Sequence, residues 1–206
     1  MNDLKHLEKI AKQTKDVYER QGSRFDSERS KQLIERRWLE RFAEMLPNGA
    51  TVLDAGCGSG EPIAQFLIGS GYRIVGIDYS TTMIALARSR FPEQEWHVGY
   101  MQDLDLIEAV DGIIGWHSFF HLRQTEQRAV LARFAAHLKP GGPLLLTVGP
   151  QRGEVIGCVG GEDVYHASLD PEEYRDVLAN LKIDIVDFVF SDVECGHANV
   201  LLARKQ

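Results

Sequence analysis

Residues able to do chemistry fall in three places along this chain. The first is the run Val52, Leu53, Asp54, Ala55, Gly56, Cys57, Gly58, Ser59, Gly60, where an apolar strand feeds a glycine loop and then a helix. Three glycines let the main chain turn tightly and lie against a ligand where any Cβ would collide. The second is Asp78, which closes the next apolar run, 73–78. In a parallel βαβ unit it sits beside the glycine loop, with a carboxylate able to accept both hydroxyls of a ribose. The third is Gly115-Trp116-His117-Ser118-Phe119-Phe120-His121-Leu122, which puts two histidines and three aromatics at the carboxyl end of a strand, where open α/β sheets hold ligands.

The first two places suit a nucleotide-like ligand. A dinucleotide suits them less well, because its G-x-G-x-x-G pattern asks for glycine or alanine at position 61 and this chain has Glu61. A carboxylate at that helix start repels a pyrophosphate, yet tolerates a phosphate-free adenosine ligand carrying positive charge. A glycine triplet alone is as often a plain tight turn; strand, loop, helix and strand-end acid together favour the ligand.

The elements that must hold these residues can be read from hydrophobic period. Short apolar runs at 51–55, 73–78, 94–98, 111–116 and 143–148 alternate with helical patterns, the signature of βα units feeding a mostly parallel sheet. Helices are expected over 61–68, after Ser80, and over 124–138, the last ended by Lys139-Pro140-Gly141-Gly142. Asp170-Pro171-Glu172-Glu173 is a helix start with an Asp N-cap, Pro in first position and a Glu closing a capping box. Runs 183–190 and 198–203 read as a final antiparallel pair. Upstream, a helix over 4–18 with Leu4, Leu7, Ile10, Ala11 and Val17 on one side is interrupted at Gly22 and Ser23. A second helix over 28–45 carries Leu33, Ile34, Trp38, Leu39 and Phe42 on a stripe. Residues 1–47 are thus expected to form a helical lid over a sheet core at 48–206, within one domain. The glycine-rich stretch 149–169, without clear period, is expected to be a substrate loop.

Composition sets outer limits. At 206 residues with 44% hydrophobic and 26% charged residues, the chain suits one globular α/β domain. A formal charge of −7 argues against a nucleic-acid partner, since phosphate binding rests on Lys and Arg. The basic stretch from Arg29 to Arg41 is interleaved with Glu28, Glu35 and Glu40 and reads as a solvated face. Cys57, Cys158 and Cys195 lie far apart, so neither a zinc site nor a disulfide framework is suggested, and the histidine spacings suggest no metal. No run approaches the roughly 18–20 apolar residues of a membrane span. A cytoplasmic protein is expected.

Val52 to Gly60 followed by Gly76-Ile77-Asp78-Tyr79-Ser80 resembles the first two motifs of class I S-adenosylmethionine-dependent methyltransferases. The likeness extends through 138–142 to the terminal strand pair. It implies a Rossmann-like, doubly wound α/β fold: a seven-stranded, mostly parallel sheet with the last strand antiparallel and helices on both faces. By position, Gly56, Gly58 and Gly60 would line the methionine moiety of S-adenosylmethionine, Asp54 would reach its ammonium, and Asp78 would hold the ribose. Tyr79 and Met83 would flank the adenine. The family commonly has an acid after the third strand where Tyr100 stands here, leaving the main chain of Met101 and Gln102, or the Asp103 carboxylate, to meet the adenine edge.

The segment 115–122 resembles the fourth methyltransferase motif, and its Ser-Phe-x-His-Leu portion is similar to that of glycine N-methyltransferases; many relatives have Asn or Asp in place of His117. Methyl transfer needs alignment, water exclusion and, for a protonated nucleophile, a base titrating near neutrality. His117 is the first candidate base, with His121 or His166 second; His121 is also readable as a packing residue bonded to main chain. Trp116 would wall the cofactor. Phe120, His121, Tyr165 and His166 would meet a small-molecule acceptor, and Tyr18, Arg24 and Phe25 would close the opposite side, although packing explains Phe25 equally. The reading is N- or O-methylation of a small molecule. A non-catalytic S-adenosylmethionine-binding regulatory module and an NAD-dependent oxidoreductase are the alternatives. The sequence leaves oligomeric state open.

Overall fold

The computed structural model describes residues 2–28 and 30–206, the side chains of residues 2–4 and of Phe25 excepted. Arg29 of the basic stretch and the side chains of Leu4 and Phe25 therefore lie outside the described residues. The sheet runs in the order β3 (Glu95–Val98), β2 (Arg73–Asp78), β1 (Thr51–Ala55), β4 (Gly112–Gly115), β5 (Pro143–Val148), β9 (Ala198–Lys205), β8 (Ile183–Asp192). β1 pairs in parallel with β2 and β4, and β9 is antiparallel to both β5 and β8. The seven strands, their mostly parallel sense and the reversed last strand match the expectation. The reversal of chain order between β1 and β4 opens a crevice at the carboxyl ends of those strands, where the glycine loop and the histidine segment both emerge.

Alternate side chains of each central strand feed two cores. Leu53, Ile113, Leu144 and Leu146 pack with Phe134 of α5 (Gln124–His137) and Leu178 of α6 (Pro171–Asn180). Val52, Ile114 and Leu145 pack on the other face with helices α2 (Arg36–Ala43), α3 (Ile63–Gly69) and α4 (Thr81–Arg90). Such strands are buried on both faces, which is why they read as continuous apolar runs. Ser80 caps α4 by accepting the Met83 N–H, and Asp170 caps α6 by accepting the Glu172 N–H.

The amino-terminal third departs from expectation. α1 (Asn2–Glu28) is one helix running straight through Gly22 and Ser23. A Cβ at Gly22 would meet Thr82 Cγ2 at 3.3 Å, so glycine here allows α1 to approach α4 closely. α2 is shorter than the stripe suggested, beginning only at Arg36, and Ile34 before it is exposed. Trp38, Leu39 and Phe42 are fully buried under the sheet, so α2 is core and α1 alone lies across the crevice.

The stretch expected to be an irregular loop is a hairpin of β6 (Gly153–Val159) and β7 (Glu162–Ser168), turned at Gly160 and Gly161, both at positive φ. It packs against α1, where Tyr165 and Ala167 are buried with Ile10. Among the described residues no helix is long and apolar enough to cross a membrane.

Trp38 donates its indole N–H to Asp192 at 2.7 Å, joining α2 to the end of β8. Trp38→Ala should lower unfolding free energy by about 3–5 kcal/mol, the usual cost of emptying a fully buried aromatic site. A urea midpoint within error of wild type would show α2 to be peripheral after all.

Candidate functional site

The glycine loop is shaped by the strand beside it. Gly56 and Cys57 donate their N–H groups to the Ile77 carbonyl, at 2.7 and 3.2 Å, and Gly58 donates to Asp78 Oδ2 at 3.0 Å. Asp78 Oδ1 accepts the Ser80 N–H at 2.9 Å, so one carboxylate ties the loop to the start of α4. Each oxygen keeps a further lone pair for a ligand hydroxyl. Gly56, at φ +79, could not carry a side chain, since a Cβ would fall 2.2 Å from Ser118 Cβ. Gly58, at φ +54, has nothing within 4 Å of that position and opens on a cavity.

That cavity, of about 320 Å³, lies between the strand ends and α1. Asp78, Tyr79, Met83, Tyr100, Met101 and Gln102 form its β2–β3 side. Trp116, His117, Ser118 and His121 form the β4 side, and Tyr18 the roof. Sequence reasoning missed Ala11, Lys12 and Lys15 on α1 and Arg123 and Glu126 at the start of α5. For the α1 residues the signal was the spacing of Ala11, Lys15 and Tyr18, which share one helical face.

Other expected residues lie elsewhere. Gly60 packs against Phe91 and Trp96, where a Cβ would meet ring atoms at 3.0–3.2 Å, and its φ of +82 gives glycine a structural reason. Asp54 is buried within β1 and does not line the cavity. Arg24 is exposed and paired with Glu28 on its own helix at 2.7 Å. Asp103 is exposed and borders a second cavity beneath β3. Tyr165 is buried against α1, its hydroxyl on Glu154. Phe120 and His166 stand behind His121, at ring distances of 4.9 Å each, and His166 lies across Gly157, where a Cβ would meet the imidazole at 2.5 Å.

The histidines divide by environment. His117 takes φ +51, donates its N–H to Thr147 Oγ1 at 2.7 Å and leaves its ring exposed. His121 is enclosed. Its Nδ1 lies 2.9 Å from the Tyr165 carbonyl, which can only accept, so Nδ1 carries the proton. Its Nε2 is then the acceptor for the Tyr18 hydroxyl at 2.9 Å. Burial pushes His121 down to about 4, against the opposing pull of that carbonyl. Burial also raises the Asp78 carboxyl to about 6, although its two N–H bonds act the other way, and raises the Tyr79 hydroxyl.

α1 is held over the cavity by polar contacts along its length. Thr14 Oγ1 accepts the Tyr165 N–H at 2.9 Å, and Lys15 donates to the Tyr100 hydroxyl at 2.6 Å. Glu19 accepts from Thr81 and Thr82, and Gln21 donates to Glu162 at 2.8 Å. Near its end Asp26 accepts from Ser59 of the glycine loop and takes Arg90 in two bonds, at 2.7 and 2.6 Å. Lys31 and Arg90 also reach Glu61, at 3.0 and 3.3 Å. The Glu61 charge is therefore locally balanced and would repel a pyrophosphate less than its position in the sequence suggests.

Comparison with known proteins bears on the choice of ligand. Residues 52–142 match the family described as a methyltransferase domain. A dTDP-3-amino-3,4,6-trideoxy-alpha-D-glucopyranose N,N-dimethyltransferase of Streptomyces venezuelae is 32% identical over 102 residues, 48% of this chain and 43% of that protein. A dTDP-3-amino-3,6-dideoxy-alpha-D-glucopyranose N,N-dimethyltransferase of Streptomyces fradiae is 35% identical over 102 residues, 48% and 40% of the two chains. These alignments span about two fifths of the length of either relative. Among solved structures, the sugar N-methyltransferase KedS8 from Streptoalloteichus sp ATCC 53650 superposes with a TM-score of 0.71 at 17% identity, covering 89% of this chain and 91% of that one, a likeness of fold. Over residues 52–142, less than half of its length, the chain is therefore similar to methyltransferase domains, and over most of its length it shares their fold.

Asp78 and His121 give the protein a two-sided acid response. Asp78 holds its proton more tightly when folded, so its contribution to stability is full below its ordinary 3.8 and lost as pH rises through about 6. His121 contributes above its ordinary 6.5 and loses that contribution as pH falls toward 4. On acidification from pH 6.5 to 4, Asp78→Asn should therefore lose stability more steeply than wild type, and His121→Asn less steeply. Urea midpoints across that range read both slopes, and parallel curves would contradict the assignment.

Proposed function

We propose that this protein transfers the methyl group of S-adenosylmethionine to the amine nitrogen of a small molecule. The observation that carries the reading is Asp78, whose carboxylate is fixed by Gly58 and Ser80 at the edge of a cavity that bare main chain lines. The residues fit the cofactor: open space at Gly58 admits a close ligand, Asp78 can accept ribose hydroxyls, and Tyr79 and Met83 supply surface for a base. Tyr100, Met101 and Gln102 border the same side. When bound, S-adenosylmethionine supplies an electrophilic methyl on a sulfonium, open to in-line displacement. The amine-methylating relatives favour nitrogen as acceptor.

An amine arrives protonated near neutral pH and must shed a proton to attack. Tyr18 is placed to take part, because its hydroxyl faces the cavity and already donates to a neutral imidazole. As Tyr18 oxygen receives the amine proton, its own can pass to His121 Nε2, an imidazole that burial makes a weak base and that therefore carries the proton only transiently, with the Tyr165 carbonyl on Nδ1–H. His117, exposed at the cavity wall, is the alternative base, while Trp116 and the α1 roof exclude water.

Calorimetry with S-adenosylhomocysteine and with NAD tests the reading. Heat is expected from the first and none from the second; the reverse would make the chain an oxidoreductase. With an acceptor in hand, Tyr18→Phe should cut kcat roughly 10²-fold while S-adenosylhomocysteine affinity stays within a few-fold, the scale of a lost general base. A larger loss in His117→Ala than in Tyr18→Phe would move the base to His117.

A further inference from the structure

We infer that the methyl acceptor carries an anionic group, phosphate or carboxylate, and that Lys12 and Arg123 recognise it; this rests on the methyltransferase reading of the same cavity. The chain as a whole is acidic, with 30 Asp and Glu against 23 Lys and Arg. The cavity reverses that balance, since Lys12, Lys15 and Arg123 line it while its acids, among the described residues, are Asp78 and Glu126. Asp78 is held at the glycine loop, and one Glu126 oxygen is taken by the Arg123 N–H at 2.7 Å. Lys15 is spent on a neutral hydroxyl, that of Tyr100. Among the described residues Lys12 and Arg123 have no ion-pair partner.

The two cations line the cavity from different elements. Arg123 follows His121 by two residues, at the turn from β4 into α5, and Lys12 precedes Tyr18 by six on α1. Six helical residues rise about 9 Å, so a nitrogen at the Tyr18 hydroxyl and an anion at Lys12 belong to one molecule several bonds long. A guanidinium forks onto phosphate or carboxylate, and an ammonium adds a point charge. A neutral acceptor would leave both cations facing it uncompensated.

The test titrates the protein, with and without saturating S-adenosylhomocysteine, using inorganic pyrophosphate in one arm and succinate in the other. At least one arm should bind wild type, and the Lys12→Gln, Arg123→Gln double variant should bind it at least tenfold more weakly, with an unchanged melting temperature. S-Adenosylhomocysteine affinity should match wild type. Preference for pyrophosphate assigns a phosphate, and preference for succinate a carboxylate. Equal affinity in the double variant, or no binding in either arm, overturns the inference. Loss of S-adenosylhomocysteine binding in wild type would instead overturn the methyltransferase reading, while the anion titration on the free protein still stands or falls by itself.

Discussion

One carboxylate sets the geometry from which the site grows. Asp78 takes the Gly58 N–H on one oxygen and the Ser80 N–H on the other, so the end of β2 fixes both the glycine loop and the first turn of α4. The cost is a charge held away from water, visible in its raised titration. Hydroxyls from a ligand would repay part of that cost by solvating the same oxygens. The acid is thus at once a structural tie and a vacant acceptor.

Across the crevice the logic is similar but the charge is absent. His121 is kept neutral by burial, oriented by a carbonyl behind it and answered by a hydroxyl on another element. Phe120 and His166 pack its flanks, so its ring has one orientation. On the proposed reading, an anionic tie at the cofactor end and a neutral one at the acceptor end would suit a reaction in which a cationic sulfur loses charge as nitrogen gains it.

Much of this was legible in the residues because parallel strands and a glycine loop leave local marks. β5 was readable to its last residue, since a run buried on both faces is apolar throughout. The reversed final strand followed from the short connection between two apolar runs. What escaped was set by partners distant in sequence. Gly22 looked like a helix break because its reason, Thr82, lies 60 positions away. Gly157 looked like loop because His166 occupies the space over it, although Gly160-Gly161 between alternating residues was a hairpin signal that could have been used. Tyr165 advertised an aromatic surface for substrate, and α1 consumed it. The Asp26, Ser59 and Arg90 junction joins three separate elements and has no motif.

α1 also has mechanical meaning. Its strongest charged junction is at Asp26, and Thr14 lies 12 residues earlier, about 18 Å along the axis. Over that arm an angular change of about 20° at the junction corresponds to a displacement of roughly 6 Å at Thr14. Between the two points the rod is tied by Glu19 to Thr81 and Thr82 and by Gln21 to Glu162, so the span from Thr14 to the charged junction is the lever on which the roof of the cavity depends.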